Sequence, residues 1–309
     1  MDHRDLDLRI VAREDVLLHE QTDPQRVERL VQALRNDSFL RNPPVVAQAG
    51  DLYVVLDGAT RTTALTALDC RHLVVQVVPY ATHVKLEAWY HLLPQSTATE
   101  VIKGLRSAEG AVRVEGAVGF ERAVGFERAV GFERTVGFER AVGFERAVGF
   151  ERAVGFDEVR RALDKREAIA AVVVSETEGY LVHASAADAN TALRALVHSY
   201  GSFGEVHRIV HDDLQRVVRL EESVGAVVVF PAWKPDEIVR AATTNDLLPA
   251  GITRHVIPGR ALNINVSLDI LQLESTLEAK AEWLDRWLTQ KIMAKKVRFY
   301  HESVFVFDD

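Results

Sequence analysis

The sequence predicts a two-domain α/β (α+β) protein with a repeat insertion between its halves. Three observations carry that prediction. The chain of 309 residues exceeds the common size of one domain. Short apolar runs alternate with helix-periodic segments through the first hundred residues, and the same alternation returns after residue 160. Between them, from Gly116 to Phe156, the hexapeptide GFERAV recurs almost without change. The expected partition is an N-terminal domain over 1–100, a repeat-bearing linker over 101–160 and a C-terminal α/β domain over 161–309.

Taken in order, Leu8 to Val11 and Val16 to Leu18 are apolar runs of strand length. Asp23 followed by Pro24 is a helix start, a side-chain cap and then a proline in the first turn. Val27, Leu30, Val31 and Leu34 then share one face. PPVVAQ, a turn at Gly50–Asp51 and YVVLD suggest paired strands, and a helix from Thr60 carries Ala64, Leu65 and Leu68. LVVQVVPY reads as a further strand and the stretch around VKLEAWYHLL as a helix.

The hexads suit neither regular structure well. Six helical residues advance roughly 600°, so successive phenylalanines make no stripe. On a strand, Val, Phe and Arg share one face while Ala, Gly and Glu share the other. A Phe and an Arg in every hexad fit the coils of a left-handed β-helix poorly. Each hexad is charge-neutral, and the expectation is a linker or protruding insertion without a chemical role.

Beyond the repeats, AIAAVVV and GYLVHA suggest a hairpin, and Ala187 to His198 a helix. EVHRIV and VGAVVVFP read as strands, and Pro235 to Ala242 as a helix. LPAGITRHVIPGRALNIN is rich in turn residues. A long helix follows with Leu277, Leu284, Leu288 and Ile292 on one side. Trp283 and Trp287 beside them offer either a homodimer face or packing on the second domain's own sheet. KVRFYHESVFVFDD closes the chain as an edge strand or hairpin.

The net charge of −8 argues against general binding to nucleic acid backbones. One cysteine, Cys70, excludes an internal disulfide and a multi-cysteine metal site. No apolar run approaches the roughly 18–20 residues that span a bilayer, and MDHRDLDLRIVARED is too charged for a signal peptide. A soluble cytoplasmic protein is expected. Neither GxxxxGK[ST] nor GxGxxG occurs.

The chemistry concentrates where YVVLD runs into Asp57–Gly58–Ala59–Thr60–Arg61. Gly58 permits close backbone approach, and the first-turn N–H groups of a helix favour an anion. Thr60 supplies a hydroxyl and a cap, and Arg61 a cation suited to phosphate oxygens. Asp57 beside them suits Mg²⁺ or a substrate amine or hydroxyl. A second constellation, LLHEQTDP, sets Glu20 before a capped helix, where a carboxylate can act as a general base. It is not a metalloprotease motif, since no second histidine follows at the required spacing.

LHEQTDPQRVERL, LRNPPVV, YVVLDGATRTTALTAL with RHLVVQVVPY, LPAGITRHVIPGRALNIN and KVRFYHESVFVFDD together resemble the free L-serine kinase family (SerK/SbnI-like) of the ParB/sulfiredoxin superfamily. The likeness spans both ends of the chain and omits the repeats. It implies a ParB/sulfiredoxin-like N-terminal domain and phosphoryl transfer from ATP or ADP to free serine, giving O-phospho-L-serine. It also implies Glu20 as catalytic base, Asp57 as a catalytic and Mg²⁺-binding carboxylate, and Gly58, Ala59, Thr60 and Arg61 as the phosphate corner. Trp89 and His91 are implied to border the serine pocket. Thr253, Arg254 and His255 are implied to reach in from the second domain, across an interdomain cleft, to hold carboxylate or phosphate. Archaeal members carry DGHHR where this chain has DGATR, which removes two imidazoles and favours ATP.

Sulfiredoxin chemistry needs a cysteine in the phosphate loop, and Cys70 lies beyond the helix. DNA partition needs a basic helix-turn-helix, which the acidic second half lacks. The other reading is an SbnI-like regulator of siderophore precursor biosynthesis that responds to haem or another ligand without turnover. His207 with His211, or His183, His198 and His301, are its candidate haem ligands, although surface or core histidines are the favoured reading.

Overall fold

The computed structural model describes residues 6–94, 100–101, 148–153, 156–175, 178–201, 205–220 and 225–299. In chain order the elements begin β1 (Asp7–Ala12), β2 (Val16–Leu18), α1 (Pro24–Asp37), β3 (Phe39–Leu40), β4 (Val45–Ala49), β5 (Leu52–Asp57), α2 (Ala59–Ala67), β6 (His72–Val77), α3 (Tyr80–His83), β7 (Lys85–Ala88) and β8 (Tyr90–Leu93). They continue with β9 (Val148–Ala153), α4 (Phe156–Asp164), β10 (Ala170–Ser175), β11 (Glu178–Ala184), α5 (Ala189–Gly201), β12 (His207–Ile209), α6 (His211–Leu220) and β13 (Ala226–Val229). The last are α7 (Pro235–Thr243), β14 (Thr253–Val256), β15 (Val266–Ser267), α8 (Leu268–Gln272) and α9 (Leu277–Met293). Among the described residues no helix is long and apolar enough to cross a membrane.

The chain forms two compact units, and they do not follow the expected linear partition. The first comprises Met1–Lys85, Pro235–Ala250 and His255–Asp309, and the second Leu86–Lys234 and Gly251–Arg254. Most of the chain from Pro235 onward therefore joins the first unit rather than completing a separate C-terminal domain. Packing explains the difference. Ile264, Val266, Leu268, Leu271 and Leu284 are buried in one cluster with Leu8, Val31, Leu65 and Val74 from the N-terminal segment. Those apolar groups leave water only when both ends of the chain meet.

The first unit is built on a five-stranded sheet ordered β1-β6-β4-β5-β2. β2 runs parallel to β5, with Leu18 opposite Val55, and β4 runs antiparallel to β5. Helix α1 starts as its sequence predicts, the Asp23 carboxylate accepting from the N–H groups of Gln25 (2.8 Å) and Arg26 (3.2 Å). Val31 and Leu34 of α1 are buried, and Val27 and Leu30 pack at the margin. Trp283 and Trp287 on α9 stack at 6.1 Å and pack against this same core. They thus cover the first unit's sheet, not the second domain's, because α9 belongs to the first unit.

The second unit carries a six-stranded sheet ordered β12-β8-β13-β10-β11-β9. The expected hairpin is β10 with β11, antiparallel. The helix expected around VKLEAWYHLL is instead the strands β7 and β8. In β8 the buried residues alternate, His91 and Leu93 against Tyr90 and Leu92. Both ladder edges of β8 are used, one by β12 and one by β13, so pairing with distant strands decides the conformation.

The repeats are also not wholly a linker. The stretch VGFERA over Val148–Ala153 is β9, an edge strand pairing antiparallel with β11 from Gly179–Ala153 to Ala184–Val148. The earlier hexads lie outside the described residues, as do the C-terminal residues 300–309 of the expected edge strand or hairpin. Excising residues 147–152 brings the identical AVGFER of 141–146 into place before AVGFDEVRRAL. The deletion variant is therefore expected to keep its melting temperature in a thermal scan. A cooperative loss of the transition would show that a particular copy, rather than the hexad pattern, is required.

Candidate active site

β5 ends at Asp57, and Gly58 turns the chain into α2 with φ 97° and ψ 28°. Gly58 itself is the N-cap and no side chain caps the helix. Thr60, expected to cap, lies inside the first turn. This leaves the first-turn N–H groups without a side-chain acceptor at the cap, which favours an anion there. The Gly58 requirement is twofold. A left-handed φ is costly for any other residue, and a Cβ there would sit 3.0 Å from Nε and Nη2 of Arg61. The Arg61 guanidinium folds directly over the glycine.

Arg61 is fixed from three sides. Its Nη1 donates to the carbonyls of Asn42 (3.1 Å) and Pro43 (3.2 Å), and its Nη2 donates to Asp57 Oδ2. Burial lowers the Arg61 pKa and the Asp57 carboxylate opposes that shift. Arg260, absent from the sequence-based candidates, donates from Nη2 to the same Asp57 Oδ2. One oxygen of Asp57 is thus committed to two guanidiniums. Among the described residues there is no group of three or more His, Cys, Asp or Glu side chains arranged to hold a metal.

Glu20 follows β2, which runs parallel to β5. Two residues beyond the Leu18–Val55 pair lie Glu20 on one chain and Asp57 on the other, and both chains leave the parallel strands in the same direction. The backbone around Glu20 is clamped by buried Leu248, whose carbonyl accepts from Gln21 N (2.8 Å) and whose N–H donates to His19 O (2.9 Å).

Buried imidazoles back this edge. His19 donates from Nδ1 to Val55 O at 2.6 Å, and its ring meets that of His255 edge-on at 5.2 Å. His255 takes the Tyr80 hydroxyl on Nε2 at 2.8 Å. His255, expected to touch substrate, is therefore occupied in bracing the strand ends. Desolvation lowers the His255 pKa to about 3, and burial also lowers that of His19.

The remaining predicted residues, Trp89, His91, Thr253 and Arg254, fall in the second unit. Arg254 pairs with Glu87 and lies over the Trp89 ring at 4.8 Å, a fixed and stacked cation. Thr253 is buried. His91 is buried with both ring nitrogens engaged, Nε2 donating to Gly251 O (3.0 Å) and Nδ1 accepting from Tyr200 (2.7 Å). No nitrogen of His91 remains for a substrate.

Its pKa falls to about 4 by desolvation. Three histidines with depressed folded-state values give a definite sign. Below the ordinary 6.5 the unfolded chain binds protons that His91 and His255 refuse, so stability declines as pH falls toward about 4 and about 3. The expected loss is on the order of 2 kcal/mol per histidine between about pH 6.5 and 5, read from denaturant midpoints. His91→Gln should flatten part of that slope.

Among the described residues the haem candidates form no group of three or more metal-binding side chains. His207 lies on β12 beside Glu205 at 3.5 Å, while His211 opens α6 and meets the Tyr90 hydroxyl at 3.2 Å. His183 bonds Glu167 O at 2.7 Å, and His301 lies outside the described residues.

No family model matches the chain. It is similar to the ATP-dependent L-serine kinase SbnI of Staphylococcus aureus (strain NCTC 8325 / PS 47), 23% identical over 309 residues that cover 99% of each protein. The likeness to this SerK/SbnI-like protein runs end to end. Solved structures agree in fold. SbnI with a C-terminal truncation from S. aureus matches with a TM-score of 0.63 and 21% identity over 94% of this chain and 98% of that one. Free serine kinase in complex with AMP matches with a TM-score of 0.63 and 16% identity, covering 86% and 94%.

The first unit holds two features that sequence reasoning missed. Arg260 sits 203 residues from Asp57, beyond any local pattern. Gln76 is buried in the apolar run Leu73–Val78, and a lone polar residue in such a run signals a required partner.

Proposed function

We propose that this protein is a free L-serine kinase, transferring the terminal phosphoryl group of ATP to the serine hydroxyl to give O-phospho-L-serine and ADP. The observation that carries the reading is the parallel pairing of β2 with β5, whose last pair Leu18–Val55 lies two residues before Glu20 on one strand and two before Asp57 on the other. End-to-end similarity to an ATP-dependent L-serine kinase supports it.

Phosphoryl transfer asks for positioning and charge neutralisation more than for covalent chemistry. The phosphates are assigned to the first-turn N–H groups of α2 and the Arg61 guanidinium. Glu20 takes the proton of the serine hydroxyl as that oxygen bonds to the terminal phosphorus. The bond to the bridging oxygen breaks, and the electron pair leaves on ADP. Since Asp57 Oδ2 is held by two arginines, its other oxygen is the one available to a Mg²⁺ carried in by the nucleotide, which suits an ion that takes few protein carboxylates and keeps substrate phosphates. Such an ion neutralises phosphate charge. The loss of the two imidazoles at Ala59 and Thr60 favours ATP over ADP.

The deciding experiment incubates the purified chain with L-serine, Mg²⁺ and either ATP or ADP, and measures O-phosphoserine by mass spectrometry. Product with ATP is expected. Absence of product with both nucleotides, from folded protein, would overturn the reading.

A further inference from the structure

We infer that Arg260 is a second phosphate-binding cation of the corner and that Gln76 positions it. The inference rests on the kinase reading for its substrate, and on the first unit's own contacts for its geometry.

Arg260 follows a Pro258–Gly259 turn in which Gly259 adopts a φ of 65°. That turn is gripped by one side chain. Gln76 Nε2 donates to Gly259 O at 2.9 Å, and Gln76 Oε1 accepts from Ala261 N at 2.8 Å. The two bonds bracket Arg260 on either side. Gln76 is only 4% exposed and lies among the apolar residues near the end of β6, where an unsatisfied amide costs about 1–3 kcal/mol. Such a residue favours this position of the turn, which satisfies both ends of its amide. A second tie holds the chain just after this turn to the loop that fixes Arg61, since Asn263 N donates to Asn42 Oδ1 at 3.0 Å and Asn42 O receives Arg61.

The turn so held presents a cation to the corner. Arg260 and Arg61 share Asp57 Oδ2, so the cluster carries two positive charges against one negative. Asp57 then works as a spacer that keeps two like charges together beside a helix N-terminus. Of the five N–H donors of a guanidinium, the described contacts of Arg260 use one, and the side chain remains 38% exposed. A polyphosphate carries several negative charges that a single arginine cannot neutralise, and the fork of a guanidinium matches phosphate oxygens in pairs. Arg61 is committed to two backbone carbonyls and Asp57, whereas Arg260 keeps its donors for a ligand.

The test measures ATP and adenosine binding by calorimetry, with steady-state kinetics, on the whole chain and on R260Q, R260K and Q76L. R260Q is expected to weaken ATP by about 10–100-fold and leave adenosine unchanged, with the KM for serine unaltered. R260K should recover part of the loss, and Q76L should lose less than R260Q while moving in the same direction. ATP affinity within twofold of wild type in R260Q would overturn the assignment, as would a parallel fall in adenosine affinity, which marks a merely structural role. Should the wild type bind ATP through Arg260 yet phosphorylate no serine, the kinase reading fails and the phosphate site stands. Arg260 is exposed, so its variants do not depend on Q76L folding.

Discussion

Glu20→Gln is expected to lower kcat for O-phosphoserine formation by about 10²–10⁴-fold, with ATP affinity within a factor of two of wild type. The amide keeps the size and hydrogen-bonding reach of the carboxylate but cannot accept a proton from the serine hydroxyl. The surrounding backbone is held independently by Leu248, so the loop should keep its path. Unchanged melting together with unchanged nucleotide binding would separate chemistry from folding. Activity within tenfold of wild type would remove Glu20 from the role of base.

Gly58→Val should damage both fold and function. The left-handed φ of 97° costs a β-branched residue about 2 kcal/mol. In a unit of this size that corresponds to a fall of roughly 4–8 °C in Tm. The larger effect is on activity. The new Cβ meets only the end of a flexible side chain, so Arg61 gives way rather than the backbone. Moving it frees Asp57 and breaks the ties to Asn42 and Pro43, and kcat/KM for ATP is expected to drop by at least about 100-fold. Gly58→Ala places the same Cβ against Arg61, so it should lose activity as well, with a smaller fall in Tm because alanine is not β-branched.

The corner was legible because it is local. Strand, Asp-Gly turn and helix follow one another within a dozen residues, and each uses rules that act over single turns. Asp23 with Pro24 was legible for the same reason. What escaped was set by distant partners. VKLEAWYHLL has apolar residues at helical spacing, yet β12 and β13 claim its backbone groups from more than a hundred positions away. GFERAV makes no core pattern alone, and becomes a strand where β11 offers an open edge. Thr60 looked like a cap because hydroxyls often cap, but the left-handed Gly58 starts the helix one residue earlier. The imidazoles of His91 and His255 read as ligand groups in sequence. Their environment turns both into buried, neutral braces.

The discontinuous first unit has a consequence for biosynthesis. Asp57 and Arg260 are separated by 203 residues, and Leu86–Lys234 of the second unit lie in the interval. During translation, most of the second unit emerges from the ribosome and can fold before the later parts of the first are made. The N-terminal strands meanwhile wait with an open core, lacking Leu268, Leu271 and Leu284. A nascent chain or a fragment ending near residue 100 therefore holds Asp57 without Arg260 and leaves apolar core surface uncovered until its last fifty residues arrive.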